Sequence, residues 1–272
     1  MKLSNYILFC YEYKEYGLEY ALRHTKDLGF DAVEFLALSP GKSLVMSTDR
    51  RELKALLRKY SLYVSCFSVC ADLSAKDWDD VKPSVLEAID LAHYLGSKRF
   101  HHTLVPALEL SESSPSYDDI FDTVVLRARE LADYCNERGI TCLYEPQGMY
   151  FNGVDGLGRF YNKIKSLCKD VGICGDVGNP LFADTPATDI YNAFIDDIKY
   201  VHIKDYVVSD TPFGEGEQLK SRGGKYIAEC ALGDGVTDFG YVFGKLLEKG
   251  YDGELSFEFA AGDAELERRL SL

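Results

Sequence analysis

Eight short β-rich segments alternate with eight longer segments of helical periodicity along this chain of 272 residues, and that alternation restricts the fold more than any other feature. The β-rich segments lie near 6–10 (YILFC), 32–37 (AVEFLA), 62–69 (LYVSCFSV), 99–104, 140–145, 172–176, 199–204 and 254–259. Between them run amphipathic stretches such as LEYALRHTKDLG, DRRELKALLRKY, VLEAIDLAHYLG and VVLRARELADYCNERG, whose apolar residues recur at helical spacing. Four stretches close on glycine, at Gly29, Gly96, Gly139 and Gly250. Glycine most easily takes the left-handed conformation that ends a helix. Strand–helix–strand in repetition demands parallel strands and right-handed crossovers. Eight such units at this length predict an α/β fold closed into a (β/α)8 TIM barrel, one domain spanning 1–272. An open doubly wound sheet would carry a GxGxxG turn after the first strand or a break between two halves, and the sequence has neither. One stretch escapes the alternation: the Gly-rich 206–235 is far longer than an ordinary connection and is a candidate lid over whatever the barrel mouth holds.

Composition narrows the partners. A hydrophobic content of 46% supports a large core, and a formal charge of −14 repels phosphodiester backbones, so nucleic acid is not the expected partner. A small anionic ligand stays possible, because one local cation outweighs a distant, screened net charge. The eight cysteines, at 10, 66, 70, 135, 142, 168, 174 and 230, form no CxxC pair and read as free thiols in a reducing compartment. The N-terminus offers only a six-residue apolar run, and no stretch approaches the roughly 18 apolar residues of a membrane span. A cytoplasmic location is expected.

In a barrel, chemistry is carried by side chains at the C-terminal ends of the strands. Glu34, His101, His102, Glu145, Asp176, His202 and Glu258 all stand there. Taken singly, each has an ordinary explanation: Glu145 facing solvent, Asp176 in an Asx turn, His202 hydrogen-bonded in the core, Glu258 paired with Lys or Arg on a neighbouring strand. Together they do not, because Glu145, Asp176, His202 and Glu258 end the fifth to eighth strands in succession. Buried carboxylates are costly unless paired or bound to a cation, and a divalent metal would supply the compensating charge.

The stretches LYEPQ, GDVGNP, YVHIKD, LGDGVTDFGYVFGKLLEKGYDGELSFEF and DLGFDAVEF resemble the xylose-isomerase-like barrels, the sugar (phosphate) isomerases and epimerases that include the D-tagatose 3-epimerases and inosose dehydratases. The likeness runs along nearly the whole chain and is strongest from 140 to 260. It implies a metal held by Glu145, Asp176, His202 and Glu258, with Glu145 and Glu258 also acting as acid and base. The chain departs from the DxxH pattern of many such epimerases, having Asn179 three residues after Asp176, and from HxH on the seventh strand, where Tyr200 takes the first place. Asn179 can hydrogen-bond a sugar hydroxyl but cannot carry a proton.

Three carboxylates and one imidazole are a mostly hard ligand set, suited to Mn2+ first, and to Mg2+ or Co2+, with Zn2+ also compatible. A ketose or keto-sugar bound there would lose a proton next to its carbonyl and pass through an enediolate, leading to epimerisation or isomerisation. Loss of a β-hydroxyl would make the chain a dehydratase. A lyase acting on keto-sugars or keto-inositols, with or without a partner subunit, and a non-catalytic sugar-binding barrel are the alternatives. A multi-zinc, DNA-hydrolysing barrel is disfavoured by only five histidines and the charge of −14. Substrate contacts are expected from Asn179, Lys204, His102 (favoured over His101) and Arg222, the last as a phosphate grip. Glu34 is expected to orient its neighbours, and Trp78 to pack at a helix start. Barrels of this size often associate, so a homo-oligomer is possible, although no surface is marked for it.

Overall fold

Strand order follows from which segments pair, and here eight parallel strands close on themselves in the order β1-β11-β7-β6-β5-β4-β3-β2. The computed structural model describes residues 1–6, 11–37, 44–215 and 218–258, with backbone only for 11–15 and 44. Along the chain come β1 (Lys2–Tyr6), α1 (Tyr11–Asp27), β2 (Ala32–Ala37), α2 (Leu44–Ser47), α3 (Arg50–Lys59), β3 (Tyr63–Val69), α4 (Trp78–Leu95), β4 (Arg99–His102), α5 (Tyr117–Glu137), β5 (Thr141–Tyr144) and α6 (Gly153–Leu167). Then follow β6 (Val171–Cys174), a 3-10 turn (Asn179–Ala183), α7 (Ala187–Phe194), β7 (Ile198–Ile203), β8 (Asp205–Ser209), β9 (Leu219–Lys220), β10 (Tyr226–Cys230), α8 (Phe239–Glu248) and β11 (Glu254–Phe257). The (β/α)8 expectation is met. Gly29, Gly96, Gly139 and Gly250 all have positive φ, between 67° and 88°.

The strand parity explains both cores. Outward residues such as Phe67, Phe100 and Tyr144 meet the helices, where Tyr144 and Phe160 cross edge to face at 5.0 Å. Each side chain of that size removed from water contributes about 1.5–3 kcal/mol. Trp78 belongs to this layer, 2% exposed at the start of α4 under Arg127, which is the packing role expected of it. Inward residues are unusually polar. Low in the barrel, the Tyr200 hydroxyl and Ser65 Oγ are 2.7 Å apart and Ser65 Oγ lies 2.6 Å from Ser4 Oγ, so these buried oxygens satisfy one another.

Two expectations need correction. The first strand is Lys2–Tyr6, not 6–10: Lys2 to Asn5 pair with Glu254 to Phe257, and residues 7–10, including Cys10, lie outside the described residues. The oily YILFC run drew the reading too far along the chain, because the true strand carries the polar Ser4 inward. The stretch 206–235 likewise carries short strands among its turns. It forms most of an antiparallel sheet, β8-β10-β9, in which β8 continues β7 beyond the barrel mouth and β10 returns beside it, with Tyr226 opposite Ser209 and Cys230 opposite Asp205. Asp205 anchors this excursion. Its carboxylate accepts the backbone N–H groups of Gly233 and Gly235, both at 2.9 Å, and those of Tyr206 at 3.0 Å and Thr237 at 3.2 Å.

Among the described residues the cysteines are free thiols. No helix among them is long and apolar enough to cross a membrane.

Candidate metal centre

Four consecutive strand ends bring Glu145, Asp176, His202 and Glu258 to one point. Alternation on β7 turns Tyr200, His202 and Lys204 inward and Val201 and Ile203 outward; on β11 it turns Ser256 inward, and the chain then delivers Glu258. Two breaks of register help. The β2–β3 pairing shifts between Val33 and Glu34, and the β6–β7 pairing between Ile173 and Cys174. Such irregularities re-aim the residues beside them, here Glu34 and, two places after Cys174, Asp176.

His202 is the hub. Its Nδ1 lies 3.0 Å from Glu145 Oε2, 3.6 Å from Asp176 Oδ2 and 3.9 Å from Glu258 Oε2. Donors around a dication with bonds of about 2.1 Å stand about 3 Å apart when octahedral, so these atoms form a cradle only slightly wider than an ion requires. The other ring nitrogen, Nε2, is 3.1 Å from both oxygens of Glu34. Glu34 is completely buried and also accepts Ser68 Oγ–H (2.5 Å) and Ser256 Oγ–H (2.6 Å). A carboxylate on the far nitrogen of a ligating histidine fixes tautomer and ring orientation. The Tyr6 ring stacks on the imidazole at 5.1 Å.

Charge balance defines what the cluster lacks. Four carboxylates, Glu34, Glu145 and Asp176 buried and Glu258 half-buried, face two groups able to be cationic, His202 and Lys204. The Lys204 ammonium lies 2.7 Å from Glu258 Oε2 and 3.0 Å from Asp176 Oδ2, and among the described residues the latter oxygen has no aligned hydrogen-bond donor. Burial pushes the carboxyl groups of Glu145 and Glu258 above the ordinary range. Burial opposes ionisation of Asp176 too, but Lys204 and His202 outweigh it and hold its pKa low. Burial alone would lower the His202 pKa, yet Cys174, Glu34 and Asp176 together outweigh it and raise it well above the usual imidazole value. Anions are therefore in excess, and the oxygen-rich donor set fits a hard divalent ion.

A second grouping, Glu145 with Cys174 and His202, also brings donors together. It is the poorer metal site. Burial pushes the Cys174 thiol up to about 12, and the sulfur sits sealed in the barrel interior, whereas Glu258 borders open space.

That space is a cavity of about 210 Å³, with Gln147, Asn179, Lys204, Tyr206 and Glu258 in its wall. It is smaller than the roughly 300–1,000 Å³ of sites for drug-sized ligands. Among the described residues, the buried Asn179 Nδ2 and Gln147 Oε1 have no hydrogen-bond partner, which leaves an unused donor and an unused acceptor in the lining of one cavity. Asp176 also makes the Asx turn that its sequence suggested, its Oδ1 accepting the N–H of Gly178 (2.8 Å) and of Asn179 (2.6 Å). Oδ2 is left for the cluster.

His102 and Arg222 are placed differently from expectation. His102 turns outward, its ring edge-on to Tyr144 at 5.4 Å and its Nδ1 3.0 Å from Thr103 O, so it is His101 that faces the site. The His101 ring crosses His202 at 5.7 Å, with Nε2 3.4 Å from Glu145 Oε1; burial brings its pKa down to about 3, so it stays neutral. Arg222 does not reach the cluster. Its guanidinium donates to the carbonyls of Met149 (2.9 Å), Tyr150 (3.1 Å) and Asn152 (3.3 Å), latching the β9–β10 turn to the loop after β5. Gln147 was overlooked in the sequence, although it follows Glu145 by two residues in LYEPQ.

Comparison with known proteins agrees with this fold. A family model for xylose isomerase-like TIM barrels matches residues 22–271. A ketose 3-epimerase from Arthrobacter globiformis is 26% identical over 253 residues, 89% of this chain and 77% of the relative. An inosose dehydratase from Lacticaseibacillus casei is 23% identical over 220 residues, 77% of this chain and 73% of the relative. Among solved structures, a xylose isomerase-like barrel from Mycobacterium smegmatis in complex with magnesium superposes with a TM-score of 0.69 at 22% identity, covering 93% of this chain and 86% of that one.

Proposed function

The chain belongs to the xylose isomerase-like TIM barrels, and from that premise we propose that it is a divalent-metal-dependent sugar epimerase or isomerase acting on a ketose or keto-sugar. The observation that carries this reading is the convergence of Glu145, Asp176 and Glu258 on His202 Nδ1, all within 3.9 Å, at the wall of a small polar cavity. Glu145, Asp176, His202 and Glu258 would hold the ion, Mn2+ in our assignment. The magnesium in the mycobacterial relative supports a hard dication there. The chemistry such an ion supplies is Lewis-acid polarisation of a carbonyl and its neighbouring hydroxyl, which acidifies the C–H between them.

The protein's own groups account for the rest. Glu145 and Glu258, displaced upward by burial, are better matched to proton transfer near neutrality than ordinary carboxylates. One removes the proton beside the carbonyl. Return from the opposite face inverts the centre, and return to the adjacent carbon isomerises the sugar. Lys204, fully buried beside both Asp176 and Glu258, offers its ammonium to negative charge developing on a substrate oxygen. Asn179 Nδ2 and Gln147 Oε1 orient hydroxyls. Asn179 cannot donate a catalytic proton, so acid–base work falls on the glutamates. The inosose dehydratase relative supports a second reading, in which the same proton abstraction is followed by loss of a β-hydroxyl.

The test is solvent exchange. Manganese-loaded protein in heavy water is incubated with ketoses, keto-inositols and sugar phosphates, and incorporated deuterium is located by NMR. Exchange beside a carbonyl is expected, and Glu145→Gln and Glu258→Gln each abolish it while circular dichroism stays unchanged. Exchange retained in both variants refutes the assignment, and a product lacking water identifies the dehydratase.

A further inference from the structure

Glu145 and Gln147 lie in one segment and Asp176 and Asn179 in another, yet the sheet places only the first of each pair. Strands β5 and β6 pair in register, Cys142 opposite Val171 and Tyr144 opposite Ile173, and Glu145 and Asp176 stand just past their ends. Gln147 and Asn179 lie further beyond the paired residues of these two strands. A polar side chain that grips a substrate hydroxyl does so best when its place is fixed before the substrate arrives.

One fully buried amide joins the two segments. Asn152 donates from Nδ2 to the Gly148 carbonyl (3.1 Å) and to the Asn179 carbonyl (2.8 Å), while its Oδ1 accepts the Gly153 N–H (2.7 Å) at the start of α6. Both of its N–H groups and its oxygen are used, which fixes its orientation. Each end of the bridge is firmly held. Gly148 packs so closely on the loop after β4 that a Cβ there would stand 2.6 Å from the Val105 carbonyl oxygen. Asn179 gives its own N–H to Asp176 Oδ1 (2.6 Å) and takes the Asn152 amide on its carbonyl, so its backbone is fastened on both sides and its side chain is left for the cavity. Arg222 doubles the bridge from outside. Its guanidinium holds the carbonyls of Met149, Tyr150 and Asn152, and its N–H donates to Phe182 O (3.0 Å) in the 3-10 turn that Asn179 begins.

We propose, resting on the sugar reading above, that Asn152 is a positioning residue for substrate: it locks the segment of Gln147 to that of Asn179, so that the unused acceptor and the unused donor take two hydroxyls of one substrate at a set spacing. Asn152 acts through Gln147 and Asn179 alone. The metal ligands do not depend on it, because Glu145 and Asp176 are placed by the pairing of β5 with β6.

The test separates this bridge from the helix cap that Asn152 also makes. Asn152→Ser keeps the cap, since serine serves at a helix N-terminus about as well as asparagine, but it cannot reach both carbonyls. Asn152→Asp keeps the volume as well and is used if the serine variant does not melt cooperatively. In magnesium-loaded protein, heteronuclear NMR is expected to find the Asn179 side-chain amide ordered, and less ordered in either variant. The apparent KM for deuterium exchange, measured with the fastest of D-fructose, D-tagatose and D-sorbose, is expected to rise at least tenfold while kcat and Mn2+ affinity stay within threefold, because a grip made equally in ground and transition states acts on KM alone. Arg222→Met, which removes only the outer set of bonds, raises KM less. Unchanged order of the Asn179 amide overturns the proposal, as does a KM within threefold. So does a fall in Mn2+ affinity that matches the loss of exchange, which would make the bridge structural for the whole site, or a larger effect of Arg222→Met. If the unaltered protein exchanges none of the three ketoses, the sugar reading falls, and the amide order decides the bridge by itself.

Discussion

Replacing Glu34 by Gln isolates the one interaction that aims His202 at the carboxylates. The glutamine keeps the volume of the buried side chain and can still accept a hydrogen bond from His202 Nε2, but that bond is no longer charge-assisted. A hydrogen bond to an ionised group contributes about 1.5–3 kcal/mol and a neutral one about 0.5–1.5 kcal/mol, so about 1–1.5 kcal/mol of orientation is lost. The amide also presents an N–H₂ where Glu34 now accepts the hydroxyls of Ser68 and Ser256. One serine must reverse and accept, which a hydroxyl does at little cost. The fold should persist, and the loss should fall on the ion. Carboxylates that support a metal-bound histidine typically account for about 10–100-fold in affinity, and the lower half of that range is expected here, since the Gln oxygen stays in place. Competition for Mn2+ against a chromophoric chelator measures it, and nitrogen chemical shifts of the His202 ring report the tautomer. An affinity within threefold of the unaltered protein, with melting unchanged, would refute the reasoning: the Glu34 contact would then be packing alone.

The other predictions use the same two measurements. Lys204→Met removes a competitor for Asp176 and Glu258 and is expected to hold or tighten manganese binding while lowering the exchange rate by about 10²–10³-fold, the usual loss of one oxyanion donor; weaker metal binding would contradict this. The pH dependence has a definite sign. Glu145, Glu258 and His202 hold their protons more tightly in the folded chain than their ordinary values of 4.5 and 6.5 allow, so the stability they give the chelated protein is complete below those values and is lost as pH rises above them. Asp176 and Glu34, held low, act in the opposite sense and only near pH 4 and below. Metal takes the deprotonated ligands, so the gain in Tm on adding Mn2+ should grow between pH 5.5 and 8, and a constant gain would contradict the ligand set. Asp205→Ala orphans four backbone N–H groups at the base of the β8–β10 sheet. A loss of about 3 kcal/mol is expected, read by denaturant unfolding together with faster proteolysis within 206–235, and a loss under 1 kcal/mol would show that the anchor is dispensable.

The barrel and the four strand-end residues were legible because each depends on a period. Parallel strands separated by amphipathic helices announce themselves through spacing, and a carboxylate closing an apolar run is visible in one dimension. The failures are equally physical. Choosing His102 over His101 required the parity of a four-residue strand, Arg99–His102, too short to display alternation when both inward and outward neighbours are buried. Arg222 stands in an SRGGK turn that looks solvated, and only the folded chain brings the carbonyls of Met149, Tyr150 and Asn152 within its reach. Strand β1 was misplaced because hydrophobicity marks what faces the helices, while the barrel interior is closed by hydroxyls such as Ser4, Ser65 and Tyr200.

That polar interior is part of the reason the site works. If the layer below His202 were aliphatic, Glu34 would have no partner but the imidazole, and its burial would favour the protonated acid. Ser68 and Ser256, reaching it from β3 and β11, help keep it ionised: burial opposes this, and His202 together with the two hydroxyls outweighs burial. When the imidazolium gives up one proton to make way for an ion, the ionised carboxylate keeps the other on Nε2, so that Nδ1, the nitrogen nearest Glu145, Asp176 and Glu258, is the one that would offer its lone pair. The two serines therefore act on the proposed ion through two intermediaries. If so, Ser68→Ala combined with Ser256→Ala weakens Mn2+ binding in the unaltered cluster but adds little in the Glu34→Gln background, and full additivity of the two losses would break the chain of dependence.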